Sequence, residues 1–307
     1  MAEHAGRLQA RHRVVLLVLL LLTLAATQTT VATSGPTTLR AEAQPPSAAG
    51  LPSAAAARSR YDKAVLADKP VGFWHNAQGA DLVSRRNAIR VGKPGSTVLP
   101  NGDTAATFDG SRSYLEVADN DRWSPATTGT LTIEAWIRPS TLRFTSGRSA
   151  VCYVHWLGKG VTGQYEWALR MYSDLTPCES PQRPNRVSVY AFNLPGGLGT
   201  GAYFQGGLDG VPVIHRGEWV HVVGVINGNK KSRTFPHGYV RIYRNGHLIN
   251  TSDLFSTVPV TLRNGSAPLR IGTRDLASFF QGSIGKVALY DYEVAGSRLL
   301  AHYNSME

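Results

Sequence analysis

The stretch EWVHVVGVI (residues 218–226) and its continuation YVRIYRNGHLI (residues 239–249) decide the fold. In the first, both alternating sets are apolar: Val220, Val222 and Ile226 on one side, Trp219, Val223 and Val225 on the other. A strand apolar on both faces belongs in the middle of a sheet that is covered twice. In the second, Asn245-Gly246 is the pair that suits a tight two-residue turn, so the chain reverses there and resumes as a strand at His247, Leu248 and Ile249. Working outward, short runs bounded by Gly, Asn, Asp or Pro recur along the chain. They are VGFWH, TAATFD, SYLEV, TLTIEAWIRP, VCYVHWL, YEWALRMY, VSVYAF, PLRIGT and SIGKVALY. With so many strands and little helix between them, the expectation is an all-β sandwich of two antiparallel sheets. Helical spacing in YDKAVLADKP (residues 61–70), ended by Pro70, predicts one short helix at the domain start.

Composition agrees. Of 307 residues, 42% are hydrophobic and only 17% charged, with 31 Gly and 17 Pro, which excludes a disordered chain, a coiled coil and a collagen. The net charge is +11, but its basic residues are scattered, with nothing longer than pairs such as Arg85-Arg86 and Lys230-Lys231. That pattern is no nucleic-acid footprint, whereas a broad positive field can attract acidic glycans or anionic surface polymers.

At the N-terminus, Arg7, Arg11 and Arg13 precede the apolar run VVLLVLLLLTLAA (residues 14–26). Thirteen residues are too few to span a bilayer, so residues 1–32 read as a secretory signal peptide, leaving no membrane span after cleavage. Residues 33–59, rich in Ala, Pro, Ser and Thr, cannot bury enough apolar surface to order themselves and read as a linker. Residues 60–307 then form one domain. In an exported chain the two cysteines, Cys152 and Cys178, are expected to form one disulfide, which in the chain-entropy picture stabilises the fold by about 3 to 4 kcal/mol.

Six segments carry a family resemblance: YDKAVLADKPVGFW (61–74), FDGSRSYLEV (108–117), LTIEAWIRP (131–139), EWVHVVGVING (218–228), VRIYRNG (240–246) and FFQGSIGKVALYDYEV (279–294). In order and spacing they resemble the laminin-G-like jelly rolls of the concanavalin A-like lectin/glucanase superfamily, in their secreted bacterial form. The closing RLLAHYN (298–304) looks like the short helix with which many such domains end. The resemblance implies two curved sheets, with ligands held on the concave face or at rim loops. It also implies calcium in many members, supplied in part by an acid near the C-terminus. Here Gly285 replaces that acid and Lys286 follows it, which argues against calcium there; Asp119 and Asp121 are the remaining candidates for hard oxygen ligands.

Glycan hydrolysis in this superfamily uses two acids on one strand, and no strand here carries such a pair: Glu134 and Glu166 each stand alone. The expected function is therefore a secreted, non-catalytic module for a carbohydrate or surface ligand. The alternatives are a glycoside hydrolase or polysaccharide lyase, and a protein-adhesion domain that binds no sugar. Sugar binding on a sandwich needs exposed aromatic rings beside polar groups. Tyr172 and Tyr190 share the polar sides of their strands with Arg170 and Ser188 and are the first candidates; Trp156 and Tyr203 follow. The Gly-rich stretch 194–210 reads as a rim loop with Tyr203 and Phe204 as stacking platforms.

Overall fold

The computed structural model describes residues 58–144, 152–174, 181–193 and 199–307, all within one compact unit, Ala54–Glu307. Residues 1–57 lie outside the described residues, and with them the expected signal peptide and most of the linker. Ser59, assigned to the linker above, caps the first helix by accepting the Asp62 backbone N–H at 3.2 Å.

In chain order the elements are α1 (Arg60–Ala67), β1 (Gly72–Trp74), β2 (Ile89–Val91), β3 (Gly95–Val98), β4 (Thr104–Asp109), β5 (Tyr114–Val117), α2 (Pro125–Thr128) and β6 (Thr130–Pro139). There follow β7 (Tyr153–Lys159), β8 (Trp167–Tyr172), β9 (Arg186–Phe192), β10 (Gly199–Gln205), β11 (Val220–Asn227), β12 (Tyr239–Arg244) and β13 (His247–Asp253). The chain closes with β14 (Leu269–Ile271), β15 (Gln281–Tyr290) and α3 (Gly296–Asn304). The strands form two antiparallel sheets. Sheet A runs β13-β12-β11-β6-β15-β4-β3, with β1 also on β15; sheet B runs β10-β9-β8-β7-β14-β5-β2. The fold is a jelly-roll sandwich, as the sequence predicts.

The alternation of each strand decides what lies between the sheets. Leu131, Ile133, Ala135 and Ile137 of β6, with Val220, Val222 and Ile226 of β11, meet Trp167, Leu169 and Met171 of β8 and Val187, Val189 and Ala191 of β9. β11 is central in sheet A, between β12 and β6, and its second apolar side also finds cover. Val223 and Val225 pack with Trp136 and Tyr243 against Tyr61 and Val65 of α1 and Leu299 of α3. Sheet A is thus covered on both faces. No helix packs on the outer face of sheet B among the described residues.

One buried polar cluster ties the helices to sheet A. The Glu134 carboxylate on β6 is fully buried and accepts from the Tyr61 hydroxyl at 2.7 Å and the Tyr290 hydroxyl at 3.0 Å. It also meets His221 Nε2 at 2.8 Å and His302 Nδ1 at 3.0 Å, while His302 Nε2 reaches Asp68 Oδ2 at 2.8 Å. Burial pushes the Glu134 pKa up, but the two imidazoles outweigh it and hold the carboxyl well below the ordinary range. Burial likewise pulls His302 down, and the carboxylates of Glu134 and Asp68 outweigh it and raise its pKa.

Candidate functional site

Strand register builds the outer face of sheet B as a grid. His155 on β7 pairs with Arg170 on β8, Arg170 with Ser188 on β9, and Ser188 with Tyr203 on β10. At roughly 4.8 Å between strands this row spans about 14 Å. The neighbouring row is built of small residues around one ring: Gly158, Ala168, Tyr190 and Gly201. The glycines explain the shape. A Cβ at Gly201 would fall 2.8 Å from Tyr190 Cδ1, and one at Gly199 would fall 2.5 Å from Phe192 Cδ1. The two rings therefore lie down over glycine, with centroids 5.8 Å apart and planes 20° from parallel. Arg274 lies over Gly158 in the same way.

Arginines fill the gaps between rings. The Arg170 guanidinium is 4.4 Å from the centroids of both Tyr153 and Tyr190 and 5.4 Å from that of Phe192. Arg186 covers Tyr203 at 3.8 Å, and Arg274 covers Tyr165 at 3.9 Å. Such contacts hold the rings in fixed positions. Arg170 Nε donates to His155 Nε2 at 2.9 Å, so His155 is a neutral acceptor on that nitrogen. Burial, reinforced by Arg274 and Arg170, keeps its pKa well below the ordinary histidine value. The Tyr172 and Tyr190 hydroxyls meet at 3.0 Å, and burial together with Tyr172 pushes Tyr190 up to about 12.

The four aromatic candidates separate by exposure. Tyr190 is half-buried and Tyr203 is 39% exposed, so both can meet a ligand. Tyr172 is 1% exposed; it lies on the grid but beneath its surface, where it holds Tyr190 through the hydroxyl pair. Trp156 is fully buried and belongs to the core between the sheets, on the same side as Val154 two residues before it, and a bulge between His155 and Leu157 brings Leu157 inward as well. Tyr172 and Trp156 are thus supports, not contacts. Phe204, read above as a platform, also points into the core.

The Gly-rich stretch needs a second correction. Residues 199–205 are not a rim loop but the edge strand β10, paired along its length with β9; residues 194–198 lie outside the described residues. Beside it a cleft of about 260 Å³ is lined by Tyr203, Gln205, Leu208, Asp209, Leu248 and Asn250, extending the grid at the sheet edge.

The calcium candidates do not fit the ion. A Cβ at Gly285 would strike that of Ala105 at 2.7 Å, so no carboxylate has room there. Lys286 beside it is fully buried, its ammonium 2.5 Å from Asp62 Oδ1 and 2.7 Å from Asp103 Oδ2. Asp119 is 2.8 Å from the buried Lys159 ammonium, which also binds Glu166. Asp121 Oδ1 accepts from Asn264. At Gly285 and at Asp119 a lysine already supplies the positive charge. The expected disulfide involves Cys178, which lies outside the described residues; Cys152 is buried.

With this geometry the relatives can be placed. A family model of the concanavalin A-like lectin/glucanase superfamily, Laminin_G_3, matches residues 109–298. The chain belongs to that family. Solved structures of the same fold include the receptor-binding domain of botulinum neurotoxin type G, at 11% identity and TM-score 0.51. Another is the binding domain of botulinum neurotoxin DC in complex with rat synaptotagmin II, at 14% identity and TM-score 0.53. They cover 76% and 78% of this chain, which spans about half of theirs, 51% and 52%. At such identity they show the fold alone. No curated protein matches the sequence.

Proposed function

We propose that this laminin-G-like domain is an exported, non-catalytic module that binds a glycan on the outer face of sheet B. The observation that carries this is the grid itself: flat, half-buried rings beside fixed polar groups on an outer sheet face that no helix covers among the described residues. Pyranose rings present apolar faces edged by hydroxyls, which is the complement of such a surface.

The same face argues against chemistry. Hydrolysis needs two carboxyls in acid and base roles, yet the strands of sheet B carry only Glu116, held by Arg270 Nε at 2.7 Å, and Asp275 beside the grid is tied to Arg274 at 2.6 Å. Elimination from a polysaccharide needs a base near neutral pH. Tyr190 is pushed up to about 12, and the His155 lone pair is already occupied by Arg170. Export rests on the N-terminal basic and apolar run.

A glycan-array screen of the protein, with reducing-end and unsaturated-product assays on each hit, tests this proposal. Binding without turnover is the expected result. Release of ends or double bonds would make the domain an enzyme, and silence on all glycans would make it an adhesion domain.

A further inference from the structure

The edge strands β10 and β13 border the cleft of about 260 Å³ that shares Tyr203 with the grid. Its apolar wall is open to solvent, with Leu208 and Leu248 each 47% exposed and Tyr203 39%. Three polar side chains, Gln205, Asp209 and Asn250, line the same cavity. Gln205 lies on the outer side of β10 with Tyr203, because Ala202 and Phe204 alternate with them into the core. Arg186 fixes both: its guanidinium stands 3.8 Å from the Tyr203 centroid, and its Nε donates to Gln205 Oε1 at 2.9 Å. With Oε1 held, the Gln205 amide nitrogen keeps two donors that find no partner among the described residues. Gln205 is the most enclosed of the three, at 8% exposed, whereas Asn250 is half-buried and Asp209 exposed. Asn250 is oriented alike: its Oδ1 accepts from the Ser252 hydroxyl at 3.3 Å, which leaves its amide donors unused. Asp209, at φ +51°, stands on a turn closed by the Val211 N–H to Leu208 O at 2.9 Å and the Gly207 N–H to Val211 O at 2.8 Å. Its carboxylate has neither an ion pair nor a hydrogen bond among the described residues. One open cavity thus brings together an aromatic ring, aliphatic side chains, amide donors and a carboxylate acceptor, the complement of a sugar ring edged by hydroxyls.

We propose that this cleft is a saccharide subsite for one neutral sugar unit, with Asp209 accepting from its hydroxyls and Gln205 and Asn250 donating to them. The inference rests on the glycan reading above and deepens it. Tyr190 and Tyr203 are one strand and two residues apart, roughly 8 Å, so the ligand is an oligosaccharide that runs from Tyr190 over Tyr203 into the cleft. The volume is below that of a pocket for a drug-sized ligand, which suits a single unit. A hydroxyl donated to a carboxylate is a charge-assisted bond, whereas an acidic sugar there would meet Asp209 with no basic group in ion-pair reach to offset the repulsion.

The test is calorimetric titration of the full chain with gluco-, xylo-, manno-, arabino- and galacto-oligosaccharides of two to six units, and with oligogalacturonate as the acidic comparison. At least one neutral series is expected to bind, its longer members at least tenfold more tightly than its disaccharide, and oligogalacturonate more weakly. D209N keeps a residue at home in the left-handed region, and N250A removes an amide from a side chain that is not in the core. Each should weaken the longest ligand at least fivefold, and the backbone amides of Asp209 and Asn250 in the native chain should shift as it binds. Full affinity in both variants, silent amides at both positions, or tighter binding of oligogalacturonate than of every neutral series would overturn the subsite and leave glycan binding intact. Failure of every neutral series would likewise overturn it, and a glycan array that is silent as well would overturn the glycan reading too.

Discussion

Replacing Glu134 by Gln probes the cluster that fastens the two helices to sheet A. The amide keeps the shape and can still accept from Tyr61 or Tyr290, but it removes the charge that stabilises the buried His302 imidazolium. Breaking a buried ion pair from one side costs about 3 to 5 kcal/mol. Because His302 keeps Asp68 at 2.8 Å, the lower end is expected, about 3 kcal/mol. For a domain of this size that lowers Tm by about 6 to 12 °C. The pH dependence carries a sign. The folded-state pKa of His302 is raised, so its stabilising contribution is complete below about 6.5 and fades as pH rises through the folded value. Glu134 is depressed, so its contribution is complete above about 4.5 and is lost only as pH falls toward its folded value. Urea denaturation of the native chain and E134Q at pH 5.5, 7 and 8.5 measures the difference. The stability gap should be widest at pH 5.5 and narrow toward 8.5. A gap below about 1 kcal/mol, or one that grows with pH, would refute the account of the cluster.

Other outcomes follow from named contacts. Lys286→Met should destabilise by about 3 to 5 kcal/mol, because Asp62 stays buried without its ammonium, and adding Asp62→Asn should recover part of that in chemical denaturation. His155 is buried neutral, so its depressed pKa should make the native chain lose stability as pH falls below about 6.5, and His155→Gln should flatten that slope in a pH series of urea midpoints. Gly201→Ala should cost about 1 to 3 kcal/mol or more and weaken saccharide binding, since the new methyl strikes the Val189 carbonyl oxygen as well as the Tyr190 ring; unchanged melting and affinity would contradict it. Tyr190→Ala should lower saccharide affinity about tenfold, near 1.4 kcal/mol, and should also lower Tm, because the ring stacks on Phe192 and its hydroxyl partners the buried Tyr172.

What was legible in the sequence was what alternation and turn chemistry encode. The two-sided apolar pattern of residues 219–226 placed β11 mid-sheet, and its second apolar side is the one that α1 and α3 cover. Arg170, Ser188 and Tyr190 could be read onto one face because β8 and β9 are regular strands. Where regularity breaks, reading failed. In VCYVHWL both alternating sets hold apolar residues, so the pattern did not say that Trp156 goes inward with Val154, and nothing in it marks the bulge after His155 that brings Leu157 inward too. β10 was hidden because glycine is a poor strand former, yet Gly199 and Gly201 are there so that two rings can lie flat. Glu134 looked solitary because its partners come from residues 61, 221, 290 and 302, a convergence only the folded sandwich creates.

The central claim is that the outer face of sheet B is the binding surface. Mapping amide chemical shifts of the isotope-labelled protein during titration with an array-positive saccharide tests it most directly. Shifts concentrated in Ser188–Tyr190, Ala202–Gln205 and the strand around Arg170 are predicted. Shifts gathered instead at the roughly 470 Å³ cleft beside Ser59, Asp62 and Lys286, with β8 to β10 silent, would contradict it.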